Sequence, residues 1–95
     1  MIFTERIKQL REQRQLPQRK VAEALDIDSA TYCKVERGER RAKKEQIPII
    51  AEILHADHEE LLTLWLADQV TAVVEDEKEI APKVMKIVQK KINKK

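Results

Sequence analysis

The side chains with chemistry to offer gather between Gln18 and Gly38, in the stretch QRKVAEALDIDSATYCKVERG. Ser29, Ala30, Cys33 and Lys34 fall on one side of a short helical run whose opposite side carries Tyr32 and Val35. A face this small, polar and basic offers hydrogen bonds and positive charge rather than covalent chemistry. The chain holds no glycine-rich phosphate loop and no Ser/His/Asp or Cys/His set at a meaningful spacing, so no enzyme is expected. Cys33 beside Lys34 and Arg37 invites a redox reading through a lowered thiol pKa, yet it is the single cysteine and has no resolving partner. His55 and His58, near Asp57 and Glu59, make a poor zinc pair without a cysteine or a third histidine. Neither a metal nor a cofactor is expected.

Two elements must position that face. Val21, Ala22 and Leu25 stand at i, i+1 and i+4, which is one side of a helix, and Tyr32 and Val35 repeat at i, i+3 in the next. Asp26-Ile27-Asp28 joins them: Asp26 tolerates a left-handed turn, Ile27 points inward and Asp28 is a good N-cap. Gly38, the only glycine, supplies a left-handed stop. Two helices across a three-residue turn, the second with a small basic outer face, read as a helix-turn-helix.

Bulk properties agree. At 95 residues there is room for one domain with a small core. No apolar run approaches the length of a membrane span, and no secretory leader is expected. One cysteine suits a reducing cytosol, so the expected location is cytoplasmic. Phe3, Tyr32 and Trp65 are the only aromatics, too few for single-strand binding by base stacking. Charge is segregated. Residues 1–44 hold twelve basic and seven acidic side chains (net +5), residues 45–79 one lysine and ten acids (net −9), and residues 80–95 six lysines and no acid (net +6). Basic charge thus collects around the helix-turn-helix, where phosphates would lie.

The pattern Gln18-x-x-Val21-Ala22-x-x-Leu25-x-Ile27, closed by Val35-Glu36-Arg37-Gly38, resembles the Xre and phage-repressor family of transcriptional regulators over about Phe3 to Leu62. The resemblance implies an all-α fold: a five-helix lambda-repressor-like helix-turn-helix domain, here followed by a C-terminal helical extension. It implies double-stranded DNA as partner, with Ser29, Ala30, Cys33 and Lys34 at base-contacting positions. Lys34 can donate to guanine O6 and N7, Ser29 can bond to several bases, and Ala30 can touch a thymine methyl. Gln18 matches a position that meets phosphate with helix-start amides, and Arg19, Arg37, Arg40, Arg41 and Lys43 are further phosphate candidates. The family also implies an ion pair between Arg11 and Glu36. The departures are Pro17, where the family carries a capping Ser or Thr, and Asp26 and Asp28, whose carboxylates should weaken non-specific binding.

The rest of the chain reads as helices. The first spans residues 4–15 with Thr4 as N-cap, and the second begins near Pro17, capped by Leu16 or Gln18 in place of the missing hydroxyl. In the fourth, Pro48 lies inside the Ile47, Ile50, Ala51, Leu54 pattern, so the helix begins a turn earlier or kinks. Asp57-x-x-Glu60 opens a fifth, capping-box fashion, and Ile80 to Ile92 marks a last amphipathic helix. Residues 1–66 are expected to form the DNA-binding domain and 67–95 the extension. Leu62, Trp65, Leu66, Val70, Val73, Val84, Ile87 and Val88 are more apolar surface than one small core can cover, which points to a homodimer, the alternative being a monomer whose last helix folds back over the fifth. A protein-interaction adaptor or an antitoxin with an unknown protein partner is the alternative use of such a fold.

Overall fold

The computed structural model describes residues 1–94; Lys95, the last residue of the expected extension, lies outside them. Among the described residues every regular element is a helix: α1 (Ile2–Gln13), α2 (Gln18–Leu25), α3 (Ser29–Glu36), a 3₁₀ turn (Lys44–Gln46), α4 (Ile47–Leu54), α5 (His58–Val74) and α6 (Ala81–Asn93). The all-α architecture is as expected. The first four helices and the start of α5 wrap one core, in which Ile7, Val21, Tyr32, Ile47, Ile50 and Leu61 are fully buried. The periodic apolar residues of each helix supply it. Burial of such side chains is the main stabilising term at this size, at about 1.5–3 kcal/mol each.

Helix ends show what local sequence can do. Asp28 caps α3, its Oδ1 accepting from the Thr31 backbone N–H at 2.7 Å, and Asp57 caps α5, its Oδ2 accepting from the Glu60 N–H at 3.2 Å. The reciprocal half of the expected capping box is absent, because Glu60 Oε1 accepts instead from Arg6 Nε at 2.9 Å. Asp26 (φ 57°) and Gly38 (φ 78°) both occupy the left-handed region, as their types allow, and Gln15 (φ 57°) and His55 (φ 53°) do the same after α1 and α4. All four stops share one hydrogen-bond pattern. At Gly38, for instance, its N–H donates to the Val35 carbonyl at 3.1 Å and the Glu39 N–H to the Lys34 carbonyl at 2.9 Å. After Gln15, Asp26 and His55 comes an apolar residue, Leu16, Ile27 or Ala56, half-buried against the core.

Two expectations are corrected, and the alternatives at Pro48 are decided. The first helix begins at Ile2, not residue 4: Thr4 lies inside it, buried, with its hydroxyl donating to the Met1 carbonyl at 2.9 Å. The cap comes from sixty-odd residues away, where Asp68 Oδ1 and Oδ2 accept from the N–H groups of Ile2 (3.0 Å) and Phe3 (2.9 Å). The second helix has no side-chain cap at all. At Pro48 the first of the two expected arrangements is the one observed: helical structure opens a turn earlier, at Lys44, as the 3₁₀ turn that runs into α4. Pro48 stands in the first turn of α4, and the 3₁₀ turn before it absorbs the change of direction, with Gln46 Oε1 accepting from the Lys43 N–H at 2.8 Å.

Beyond the core the chain opens out. Leu62 and Trp65, expected on a dimer face, pack instead on the protein's own core. Leu66, Val70 and Val73 on the second half of α5 are exposed, no residue of α6 is buried, and α5 runs through residues 66 and 67 without a break. Asp68→Ala should therefore destabilise the protein by about 1 kcal/mol, as loss of an N-cap does, in urea or thermal unfolding. Asp68→Asn, which keeps one acceptor, should cost less than Asp68→Ala.

Candidate nucleic-acid interface

The outer face of α3 is built from its inner face outward. Tyr32, Val35 and Glu36 are buried, which turns Ser29, Ala30 and Lys34 into solvent and leaves Cys33 half-covered. Glu36 fixes that orientation. Its Oε2 accepts from Arg11 Nε at 2.7 Å, and its Oε1 accepts from Arg11 Nη2 and from Gln18 Nε2, each at 3.1 Å. Arg11 Nη1 also donates to the Leu16 carbonyl at 2.7 Å, so one guanidinium braces α3, α1 and the loop before α2. The carboxylate is almost wholly enclosed, with its side chain 2% exposed. Burial works against its charge, but the hydrogen bonds from Arg11 and then its other neighbours outweigh that and hold the carboxyl below its ordinary range. Burial, and next the nearby Glu36, push the Tyr32 phenol far above the usual tyrosine range.

Around α3 lie the other expected contacts. The backbone N–H groups of Gln18 and Arg19 have no acceptor among the described residues, so the uncapped start of α2 presents free amides and its partial positive charge. Gln18, half-buried, spends one side-chain N–H on Glu36. Arg19, Arg40, Arg41 and Lys43 are exposed. Arg37 is exposed but engaged, its Nε 2.8 Å from Glu39 Oε2, a partner that reading the basic residues alone does not reveal. Asp28 is occupied as a cap: hydrogen bonding from Thr31, and after it the charges of Lys34 and Arg40, hold its carboxyl below the usual range. Asp26 remains an exposed carboxylate beside this surface.

Trp65 is the residue whose role the sequence does not disclose. Its indole Nε1 donates to the Ala42 carbonyl at 2.8 Å, and Ala42 is buried at 4% exposure. The basic connector Glu39–Lys43 is thereby pinned at its middle to α5, with Arg40 and Arg41 projecting from it. The signal was an isolated tryptophan, which needs a partner for its N–H when half-buried. Elsewhere, His55 Nε2 lies 3.4 Å from Arg14 Nη2, and His58 is exposed at the start of α5.

An outward α3 braced from beneath, a helix start with free amides and a basic connector define a helix-turn-helix DNA-binding unit. A family model described as a helix-turn-helix domain matches residues 2–64, and the chain belongs to that family. Searches of curated proteins and of solved structures each return no match.

The brace predicts two behaviours. Removing Arg11 or Glu36 alone strands a buried charge and should cost about 3–5 kcal/mol, whereas replacing both with apolar residues should cost less than the two losses together. A double-mutant cycle by urea unfolding measures this, and additive losses would show that the two do not interact. Because the folded pKa of Glu36 is depressed, its stabilisation is complete above the ordinary glutamate value of 4.5 and is lost as pH falls through the lower folded value. The stability difference between wild type and Glu36→Gln should shrink with acid below that point. Tyr32 has the opposite sign: its phenol is raised from 10.0, so stability should fall as pH rises past that value, and Tyr32→Phe should remove the alkaline component.

Proposed function

We propose that the protein is a sequence-specific, double-stranded-DNA-binding transcriptional regulator of the Xre and phage-repressor kind, cytoplasmic and not an enzyme, which acts by occupying an operator. The observation that carries this reading is the exposed face of Ser29, Ala30 and Lys34 on a helix whose inner side is locked by the Glu36 brace. Placed in a major groove, Lys34 donates to guanine, Ser29 bonds to base edges, Ala30 meets a thymine methyl and Cys33 packs beside them. The free amides of Gln18 and Arg19 take one phosphate, and Arg40, Arg41 and Lys43 take others. Arg37 exchanges Glu39 for phosphate on binding. Residues 1–66 form the reading domain and residues 67–95 an extension that joins two copies. Leu66, Val70, Val73, Val84, Ile87 and Val88 are its contact side chains; Leu62 and Trp65 serve the domain's own core instead.

A single short helix reads only a few base pairs, so two copies set in successive major grooves, about 34 Å apart, supply the specificity and require an inverted-repeat operator. Selection of bound duplexes from a random library tests this: an inverted repeat is expected, and retention on single strands as strong as on duplex would overturn the reading. On the selected site Lys34→Ala should cost about 1–3 kcal/mol and relax preference at one base pair. Arg40→Ala should weaken all sequences alike and lower the slope of log affinity against log salt by about one. Identical behaviour of the two variants would remove Lys34 from the base contacts.

A further inference from the structure

The extension carries a signature of how two copies meet. For a chain of this mass a compact monomer exposes about 5,650 Å², whereas this one exposes 7078 Å². The excess exceeds the roughly 800 Å² per partner that a stable interface buries. Its radius of gyration is 15.3 Å, against about 12 Å for a compact domain of this length. The surplus lies in α6 and the second half of α5. Ile80 is 46%, Ile87 62% and Ile92 75% exposed. Among the described residues of α6 none is buried, and only Ala81 and Val84 at its start are half-covered.

We infer that α6 pairs with α6 of a second copy, antiparallel about a two-fold axis near Lys86, with the exposed stripe of α5 flanking the seam. This deepens the dimer in the function proposed above, and rests on it. The apolar stripe accommodates an antiparallel partner, and charge selects that direction. Ile80, Val84, Val88 and Ile92 recur every four residues on one face and are symmetric about position 86. An antiparallel partner therefore sets Ile80 against Ile92 and Val84 against Val88. The turn before α6 holds Glu75, Asp76, Glu77 and Glu79 against the single Lys78, and Lys90 and Lys91 stand in the last turn of α6 with Lys94 just after it, all exposed. Antiparallel pairing lays the acidic turn of each copy on the lysines of the other, twice per dimer. A parallel pair would place acid on acid and lysine on lysine. Lys91 falls within the apolar stripe itself, a position that suits a lysine only where an acidic group faces it.

The same charge order suits the dipole of a lone helix, so the test must separate partner from self. In the full-length protein, Glu77→Lys/Glu79→Lys and Lys91→Glu/Lys94→Glu should each weaken self-association about tenfold or more in sedimentation equilibrium. An equimolar mixture of the two should recover near wild-type association, because each altered turn then meets the complementary tail. Damage confined to the helix's own dipole would not be rescued by mixing. Orientation is read from spin labels on a Cys33→Ser background. Labels at Asn93→Cys should lie further apart across the dimer than labels at Gln89→Cys, the separation along the helix axis growing by about 12 Å at 1.5 Å of rise per residue in each of two opposed helices. Equal separations at the two positions would mean a parallel pair and overturn the inference, as would a mixture that stays monomeric. A monomeric wild type at tens of micromolar would overturn it too, and if that monomer bound vesicles of anionic lipid, α6 would be a membrane-surface helix instead. Salt-sensitive retention on duplex DNA is measured alongside. Its survival in a monomer would sink the pairing and leave the DNA reading standing.

Discussion

A single enclosed carboxylate organises this protein. A charge buried as deeply as that of Glu36 is tolerable only while its donors stay in place, and the donors come from two different segments, Arg11 of α1 and Gln18 at the start of α2, while the Leu16 carbonyl between them accepts from Arg11 and holds the guanidinium in position. Moving Arg11 leaves the carboxylate without its ion-pair partner at a cost of about 3–5 kcal/mol, which is a large part of the stability of a small domain. The polar cluster therefore imposes geometry more than it adds stability. Apolar packing by Ile7, Val21 and Tyr32 would tolerate small rotations of α3; a bidentate guanidinium does not.

Two longer ties extend that rigidity to the rest of the molecule. Trp65 holds the connector after α3 by the Ala42 carbonyl, and Asp68, less than one turn further along α5, holds the first turn of α1. Both lie on a helix that continues past the core as far as Val74. The connector, the start of α1 and the base of the extension are thus fastened to one rod.

Much of this was legible in the chain, and the division follows distance along it. The three-residue turn, the caps by Asp28 and Asp57 and the stop at Gly38 involve neighbours within a few positions, so residue type and spacing suffice. By residue type alone the hydroxyl of Thr4 looks like the cap of α1. The true cap, Asp68, is invisible to any local pattern. Trp65 looks like surplus apolar surface for the same reason: a stripe tells which side of a helix is apolar, but not where along its length the core gives out. Around α3 the exposed and buried sides could be told apart from periodicity, while the pairing of Arg37 with Glu39 needs the fold of the connector.

The helix ends carry a consequence for how such a chain could change. Of the four left-handed stops among the described residues, glycine holds one, and the other three are held by Gln15, Asp26 and His55. What these three share is the apolar residue that follows, Leu16, Ile27 or Ala56, tucked against the core. The turn is enforced from outside by that anchor, against a side-chain penalty of about 1–2 kcal/mol at each left-handed position. Stopping a helix and relieving its last residue are therefore separate properties here. Drift at the left-handed residue can raise or lower stability while the helices keep their lengths, whereas drift at the anchor shifts the boundary itself. The chain has a tuning position and a defining position side by side, three times over.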